Sequence, residues 1–404
     1  MSKLDRMITE LCPQGVEYKR IGEFAKCIAG ATPSKARSEF WDNGTIPWMS
    51  SGEVNKGEIY STDNKITQAG YDGSSTKLIP PNTVVMALAG QGKTRGMVAI
   101  TRIELCTNQS LCAFVVGKEV IPEYLLHFFK SRYQDLRGKS NGDKDGARGG
   151  LNLKILNDYL VPVPPLDIQA EIIRVLDAFE SKTNELVKDL ETECSARKKQ
   201  YEYYRNKMLS GGCDIQWKTL GDIGKVSMCK RIMKDETTNE GDIPFYKIGT
   251  FGGKANAFIS RETFAEYSKK YSYPKKGDIL ISAAGTIGRT VIFDGEPAYF
   301  QDSNIVWLDN DETQVLNEFL YYWYQTNPWK ITTGGTIARL YNDNIAGAKV
   351  PIMPIEMQKN LVRSLREYDA VYNKLNVDLP SEIEARQKQY SYYRDALLTF
   401  KKKA

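Results

Sequence analysis

The sequence predicts an α+β chain: two globular modules of mixed strands and helices, separated by two long helices that pair as an antiparallel coiled coil, in a pseudo-two-fold internal repeat. Three observations predict it. Val161 to Leu209 recurs without a gap as Val350 to Leu398, 20 of the 49 positions being identical. Each copy carries apolar and aromatic residues at alternating steps of three and four, the spacing of a coiled-coil stripe. The segments ahead of each copy also resemble one another but read as short strands and glycine turns, and 404 residues give room for several ordinary domains.

The chain divides in order. Residues 1 to 160 form the first module and 211 to 349 the second. Val16-Glu17-Tyr18-Lys19-Arg20-Ile21-Gly22-Glu23 lines up with Ile215-Gln216-Trp217-Lys218-Thr219-Leu220-Gly221-Asp222, and Ile46-Pro47-Trp48 with Ile243-Pro244-Phe245. Val84 to Gly90 and Ile279 to Gly285 are apolar strands running into a glycine loop with a basic residue. Helices are expected over Glu123 to Tyr133 and Glu318 to Gln325. The helical spacers, 161 to 210 and 350 to 404, open on proline-rich stops (Val161-Pro162-Val163-Pro164-Pro165; Val350-Pro351-Ile352-Met353-Pro354) that separate them from what precedes.

The expected seam runs through Ile172, Leu176, Phe179, Thr183, Leu186, Leu190, Cys194, Arg197, Tyr201, Tyr204 and Met208. Its second copy runs through Leu361, Leu365, Tyr368, Tyr372, Leu375, Leu379, Ile383, Arg386, Tyr390, Tyr393 and Leu397. Two successive steps of four through Leu186, Leu190 and Cys194 interrupt strict heptad order and unwind the stripe locally. Pro380 predicts a kink or restart, with Asp378 as cap. A helix of this length spans roughly 60 Å at about 1.5 Å per residue.

Composition removes several function classes. The chain is 41% hydrophobic and 26% charged, so it can bury real cores. Its one histidine, His127, lies in an apolar helical run and reads as a core residue, which removes multi-histidine metal sites and leaves no histidine spare for a catalytic triad. Seven cysteines without a C-x-x-C pair argue against a disulfide framework or zinc knuckle. No signal core or long apolar span is present, and the chain is read as cytoplasmic, with no membrane partner. The net charge of +5 is too small for bulk capture of nucleic acid, so a DNA role requires local clustering.

Two motifs resemble catalytic ones. Ala87 to Thr94 reads A-x-x-x-x-G-K-T, but a phosphate loop needs a helix directly after it, and Arg95-Gly96-Met97-Val98-Ala99-Ile100 reads as a strand. Asn327-Pro328-Trp329 is like the base-holding loop of DNA amino-methyltransferases without its second proline, and reads as a helix end. No catalytic, cofactor-binding or metal-binding residue is expected.

Polar loops suited to base readout recur instead, since discriminating bases takes Arg, Lys, Asn, Gln and Ser on loops that enter a groove. In the first module these are Lys35, Arg37, Lys93, Arg95, Asn108, Gln109, Ser110, Lys139, Asn141, Lys144 and Arg148. In the second they are Lys230, Arg231, Lys247, Arg289, Gln301, Asp302, Ser303, Asn304, Arg339, Tyr341 and Asn342. Lys93, Arg95 and Arg289 are expected on phosphate, the 108–110 and 301–304 stretches near bases. Residues 1 to 160 hold 21 basic and 17 acidic side chains, residues 210 to 349 hold 16 and 17, so the second module depends on individually placed charges.

This arrangement resembles the specificity subunit of type I DNA restriction-modification systems. The resemblance is carried by the two repeats with their Pro164-Pro165-Leu166-Asp167-Ile168-Gln169 and Met353-Pro354-Ile355-Glu356-Met357-Gln358 openings. The glycine loops and leucines just upstream and the Arg197 to Arg205 and Arg386 to Arg394 ends add to it. It covers essentially the whole chain, and Met353-Pro354 departs from the usual Pro-Pro at its first position. It implies a non-enzymatic reader of double-stranded DNA, each module a target-recognition domain for one half of a split sequence. The helices would set the spacing and dock two methyltransferase subunits, and restriction subunits would join the full complex. S-adenosylmethionine, ATP and Mg would belong to those partners. Leu176, Phe179, Leu186, Leu190, Tyr201, Tyr204, Leu365, Tyr368, Leu375, Ile383, Tyr390 and Tyr393 would serve helix pairing or subunit docking. The rivals are a methyltransferase fused to its reader and a coiled-coil scaffold carrying other ligand-binding modules.

Overall fold

The computed structural model describes residues 2–89, 94–139, 151–211, 215–330 and 339–403. The chain forms two compact units, Met1–Leu190 with Pro380–Ala404, and Glu191–Leu379. Each long helix therefore contributes one half to each unit.

The first unit is built on a five-stranded sheet. Its strands are β1 (Ala25–Ala29), β2 (Glu58–Ile59), β3 (Thr83–Ala87), β4 (Val98–Thr101) and β5 (Leu111–Val116), in the order β1-β5-β3-β4-β2. Every residue of β3 and β4 is buried, which explains why these strands read as unbroken apolar runs without alternation. One face carries α1 (Pro122–Ser131), which starts on a proline whose missing N–H costs nothing at a first helical turn. Its Tyr124, Leu125, Phe128 and Phe129 share a core with Val84, Ile100 and Phe114. On the other face Met49, Ile59, Leu105 and Leu111 close a second cluster.

The first half of α2 (Leu166–Leu209) packs into the α1 core through Ile168, Ile172 and Leu176. Gln169 is fully buried where the helix starts. Its Oε1 accepts from the Ile121 N–H at 2.9 Å, and its Nε2 donates to the carbonyls of Glu119 and Pro164, both at 2.8 Å. The end of the chain completes this unit. Leu398 and Phe400 belong to the same core, and the backbone of Val16 bonds Lys401 and Lys403 at 2.8 and 2.9 Å.

The second unit repeats the design. Its sheet is β6 (Gly224–Met228), β7 (Ile279–Ser282), β8 (Thr290–Ile292) and β9 (Ile305–Asn310), in the order β6-β9-β7-β8. The helix α3 (Asn317–Tyr324) takes the place of α1, and α4 (Ile355–Leu397) begins where α2 does in the first unit. Gln358 makes the bonds of Gln169 over again, accepting from the Leu316 N–H at 2.9 Å and donating to the carbonyls of Gln314 and Met353 at 2.8 Å. Leu209, the counterpart of Leu398, is buried in this core.

Within both units the helical halves pair in opposite directions. Early in α2, Phe179 meets the rings of Tyr390 and Tyr393, late in α4, at 5.6 and 5.8 Å. Late in α2, Tyr201 stacks on Tyr368 and Tyr372, early in α4, at 5.3 and 4.1 Å, and bonds Asp369 through its hydroxyl. Leu190, Leu375 and Ile383 are half-buried along the helices.

The expected pairing seam is corrected at four places: Leu186 and Tyr204 are exposed, and Leu176 and Leu365 lie in the module cores. Steps of four each overshoot a 3.6-residue turn, so the stretch through Leu186 carries the stripe off the seam. At Pro380 α4 neither stops nor restarts, so the expected restart with an Asp378 cap is not formed. Pro380 and Asn376 are exposed, so the carbonyl that loses its partner meets water.

His127 is the core residue that composition suggested. It is 2% exposed, and Nε2 donates to Asp177 Oδ1 at 2.8 Å. Glu180 lies close enough to complete a three-group cluster, but Lys130 already pairs with it at 2.9 Å. Burial holds the His127 pKa below the ordinary histidine value, against the opposing pull of Asp177. The unfolded chain then binds the proton more readily than the folded one, so this histidine favours unfolding as pH falls below about 6.5. His127→Gln is expected to lose less melting temperature than the wild type between pH 7.5 and 5.5. Equal losses would contradict this account.

Candidate nucleic-acid interface

The strand register brings the polar turns of each module to one end of its sheet. In the first unit Leu111 lies opposite Ala87, Cys112 opposite Ala29, and Met86 opposite Val98. The end of β1, the β3–β4 connection and the turn before β5 therefore emerge side by side. In the second unit Met228 lies opposite Val306, Ser282 opposite Ile305, and Ile281 opposite Thr290. The same three connections emerge together there. A strand parallel to its neighbour supports each turn, Ile46–Met49 beside Leu105–Thr107 and Ile243–Tyr246 beside Tyr299–Phe300.

The first cluster holds Asn108, Gln109 and Ser110 as a tight turn. Asn108 Oδ1 accepts from the Ser110 N–H at 3.1 Å, and Gln109 Oε1 accepts from Thr32 Oγ1 at 2.5 Å. The Ser110 carbonyl takes the Leu88 N–H at 2.8 Å, which ties this turn to the β3 exit. Arg95 is half-buried in the turn that returns to β4, where Gly96 adopts a φ of 79° open to glycine at low cost. A strand follows instead of a helix, as expected for a glycine hairpin and not for a nucleotide loop. Lys35 and Arg37 stand exposed on the loop leaving β1, with Arg37 held by Glu39 at 2.7 Å and lying over the Phe40 ring. Lys139 pairs with Asp135 at 3.4 Å and covers the ring of Tyr159. Lys93, Asn141, Lys144 and Arg148 lie outside the described residues.

The second cluster is more tightly wired. Arg231 Nε donates to Asp302 Oδ2 at 2.9 Å, the Ile248 N–H to Gln301 Oε1 at 2.9 Å, and Arg339 Nη2 to the Ser303 carbonyl at 2.6 Å. The Ala283 N–H donates to the Asn304 carbonyl at 2.7 Å, and the Leu340 N–H donates to the Ala283 carbonyl at 2.8 Å. Arg289 reaches the Gly252 carbonyl at 3.3 Å. Arg231, Lys247, Gln301, Asp302, Ser303 and Asn304 line one cavity of about 280 Å³. Lys230 covers the ring of Tyr271. Just before it, Cys229 is buried, and burial pushes its thiol up to about 12, so it packs as a neutral group. Tyr341 is exposed and Asn342 opens a short helix beside the Arg339 segment. Asn327 and Trp329 lie past the end of α3, with Trp329 packed on Tyr324 at 4.9 Å, which is the helix-end reading.

Sequence reasoning missed Thr32 and Gly30, which adjoin the first turn. Neither carries a charge, and only the register of β1 against β5 places them there.

Two modules, each gathering polar and basic side chains at one end of its sheet, and repeated helices with matching starts define an internally duplicated two-module protein. The chain matches the family described as type I restriction modification DNA specificity domain twice, over residues 13–195 and 214–385. It is 42% identical to a protein of Haemophilus influenzae that carries the name type I restriction enzyme specificity subunit, over 95% of this chain and 96% of that one. It is 33% identical to the EcoR124I/EcoR124II specificity subunit of Escherichia coli over 48% of each chain. Among solved structures, a type I restriction-modification complex-assembly study contains a chain with TM-score 0.77 at 16% identity, covering 96% of this chain and 98% of that one. The HsdS subunit of Thermoanaerobacter tengcongensis matches with TM-score 0.57 at 17% identity, covering 96% of each. The chain belongs to the type I restriction-modification DNA specificity family, whose specificity subunits are non-catalytic. Among the described residues no helix is long and apolar enough to cross a membrane.

Proposed function

We propose that this chain reads double-stranded DNA as the specificity subunit of a cytoplasmic type I restriction-modification complex. Each module reads one half of a bipartite target, and the long helices set the separation of the halves and dock two methyltransferase subunits. Restriction subunits join that assembly, and S-adenosylmethionine, ATP and Mg are held by the partners. The observation that carries the reading is the duplicated turn cluster, in which Asn108 to Ser110 and Gln301 to Asn304 occupy matching ends of matching sheets. The chain contributes recognition and placement. Sugar-phosphate contacts from Arg95 and Arg289 would position the duplex, and the two turns would face base edges. Selection of duplexes from a random pool by the reconstituted complex tests this. Two short fixed elements at a constant gap are expected, and recovery of a pool without any common element would overturn the reading.

The docking surface is supported by identity that packing does not require. Tyr203 is 60% exposed and Tyr392, its copy, 71%, and each lies edge-on to the next tyrosine at 5.2 and 5.5 Å. The neighbouring Glu193–Arg197 pair at 2.7 Å recurs as Glu382–Arg386 at 2.7 Å. Exposed tyrosine and arginine are the residues that dominate protein interfaces. Tyr203→Ala and Tyr392→Ala should each lose one bound methyltransferase subunit, and the double variant both, at unchanged melting temperature. Native mass spectrometry counts the subunits; two retained by the double variant would contradict the assignment.

A further inference from the structure

The two modules build the same turn contact from different chemistry. Ala29 and Met228 end β1 and β6 opposite the second residue of β5 and of β9. Three residues past each end stands the partner of the opposing turn. In the first module this is Thr32, bonded to Gln109; in the second it is Arg231, bonded to Asp302. The frame is shared and the presented groups are not.

We propose that Arg231, held in place by Asp302, reads a guanine in the half-site of the second module, an assignment that rests on the DNA-reading role above. Its side chain is 66% exposed while that of Asp302 is 18% exposed, so the carboxylate is inside and the guanidinium outside. The exposed guanidinium limits what the pair adds to stability and leaves it open to solvent. Bonding through Nε orients the guanidinium plane and, among the described residues, leaves both Nη groups for one incoming acceptor pair. In the major groove, guanine offers that pair through O6 and N7. The Asp302 carboxylate repels a phosphate at this place and tolerates a neutral base edge. The Thr32–Gln109 pair carries no cation, so the first module makes no such demand at its equivalent position.

The test uses the complex with methyltransferase subunits and a duplex panel in which each base pair of the selected target is changed in turn. Arg231→Ala should lose about 10- to 100-fold of discrimination at one G·C pair of the second half-site, leaving the first half-site unchanged. Arg231→Lys should lose it too, because an ammonium is a point charge without the two-pronged geometry. Asp302→Asn, which keeps the size of the side chain, should lose part of it. A uniform loss over the whole panel with a salt slope smaller by about one would make Arg231 a phosphate contact and overturn the proposal. An unchanged panel would overturn it as well. A wild-type complex that ranks all duplexes equally would instead overturn the DNA-reading role beneath it.

Discussion

Gln169→Leu is expected to lower the unfolding free energy of the first unit by about 3–5 kcal/mol, and Gln358→Leu to do the same in the second. The amide is fully buried at both places and satisfies one N–H and two carbonyls, the bond to the Pro164 carbonyl being buried and the other two part-buried. Leucine has nearly the same volume but leaves all three backbone groups without partners. Each orphaned group costs about 1–3 kcal/mol, and the gain from an apolar side chain offsets part of the sum. Glutamate at position 169 would keep the acceptor for Ile121 and lose both donors, so Gln169→Glu should be at least as damaging at neutral pH. Urea denaturation followed by tryptophan fluorescence and circular dichroism measures the effect. A midpoint within error of the wild type for Gln169→Leu would show that this start of α2 does not hold the helix to its module.

Gly30→Ala should abolish selection of the first half-site while sparing the second. A Cβ at Gly30 would sit 2.0 Å from the Thr107 carbonyl oxygen and 2.3 Å from its hydroxyl, with backbone on one side and the Asn108–Ser110 turn directly beyond. No rotamer relieves a clash with backbone, so the exit of β1 and the turn must separate. That removes the Ala31–Thr107 bond at 2.9 Å and the Thr32–Gln109 bond at 2.5 Å. Overpacking of this kind costs about 1–3 kcal/mol. In the second module the corresponding residue is Cys229, buried with its side chain accommodated, so close backbone approach belongs to the first module alone. The measurement is the same duplex panel together with a thermal melt. Retained selectivity at the first half-site would mean that this turn does not touch DNA.

The repeat was legible because gapless self-similarity survives any uncertainty about local structure, and the strands because apolar runs bounded by glycine and proline have few alternatives. Of the candidate site, the placement of its loops was legible: Asn108 to Ser110 and Gln301 to Asn304 lie at equivalent sheet ends. Which polar side chains serve the turns themselves was not legible. Gln301, Arg339 and Arg37 each have intramolecular partners contributed by segments 2 to 53 residues away. Gln169 and Gln358 stood out only as identical letters, since their partners come from the lead-ins to α1 and α3, which carry no local signal. The terminal segment through Leu398 and Phe400 was read with the helical spacer, and its place in the first core follows from a contact with Val16 at the other end of the chain. At Pro380 propensity was overridden, because one lost helical bond on a solvated face is a small cost in a helix of 43 residues.

The central claim is that one chain reads two different half-sites. Mapping methylated bases across the genome of cells that carry this chain with a methyltransferase subunit tests it most directly. The account predicts a single motif of two unlike short elements separated by a constant gap, lost when the chain is deleted. A contiguous motif, or a map unchanged by the deletion, would contradict it.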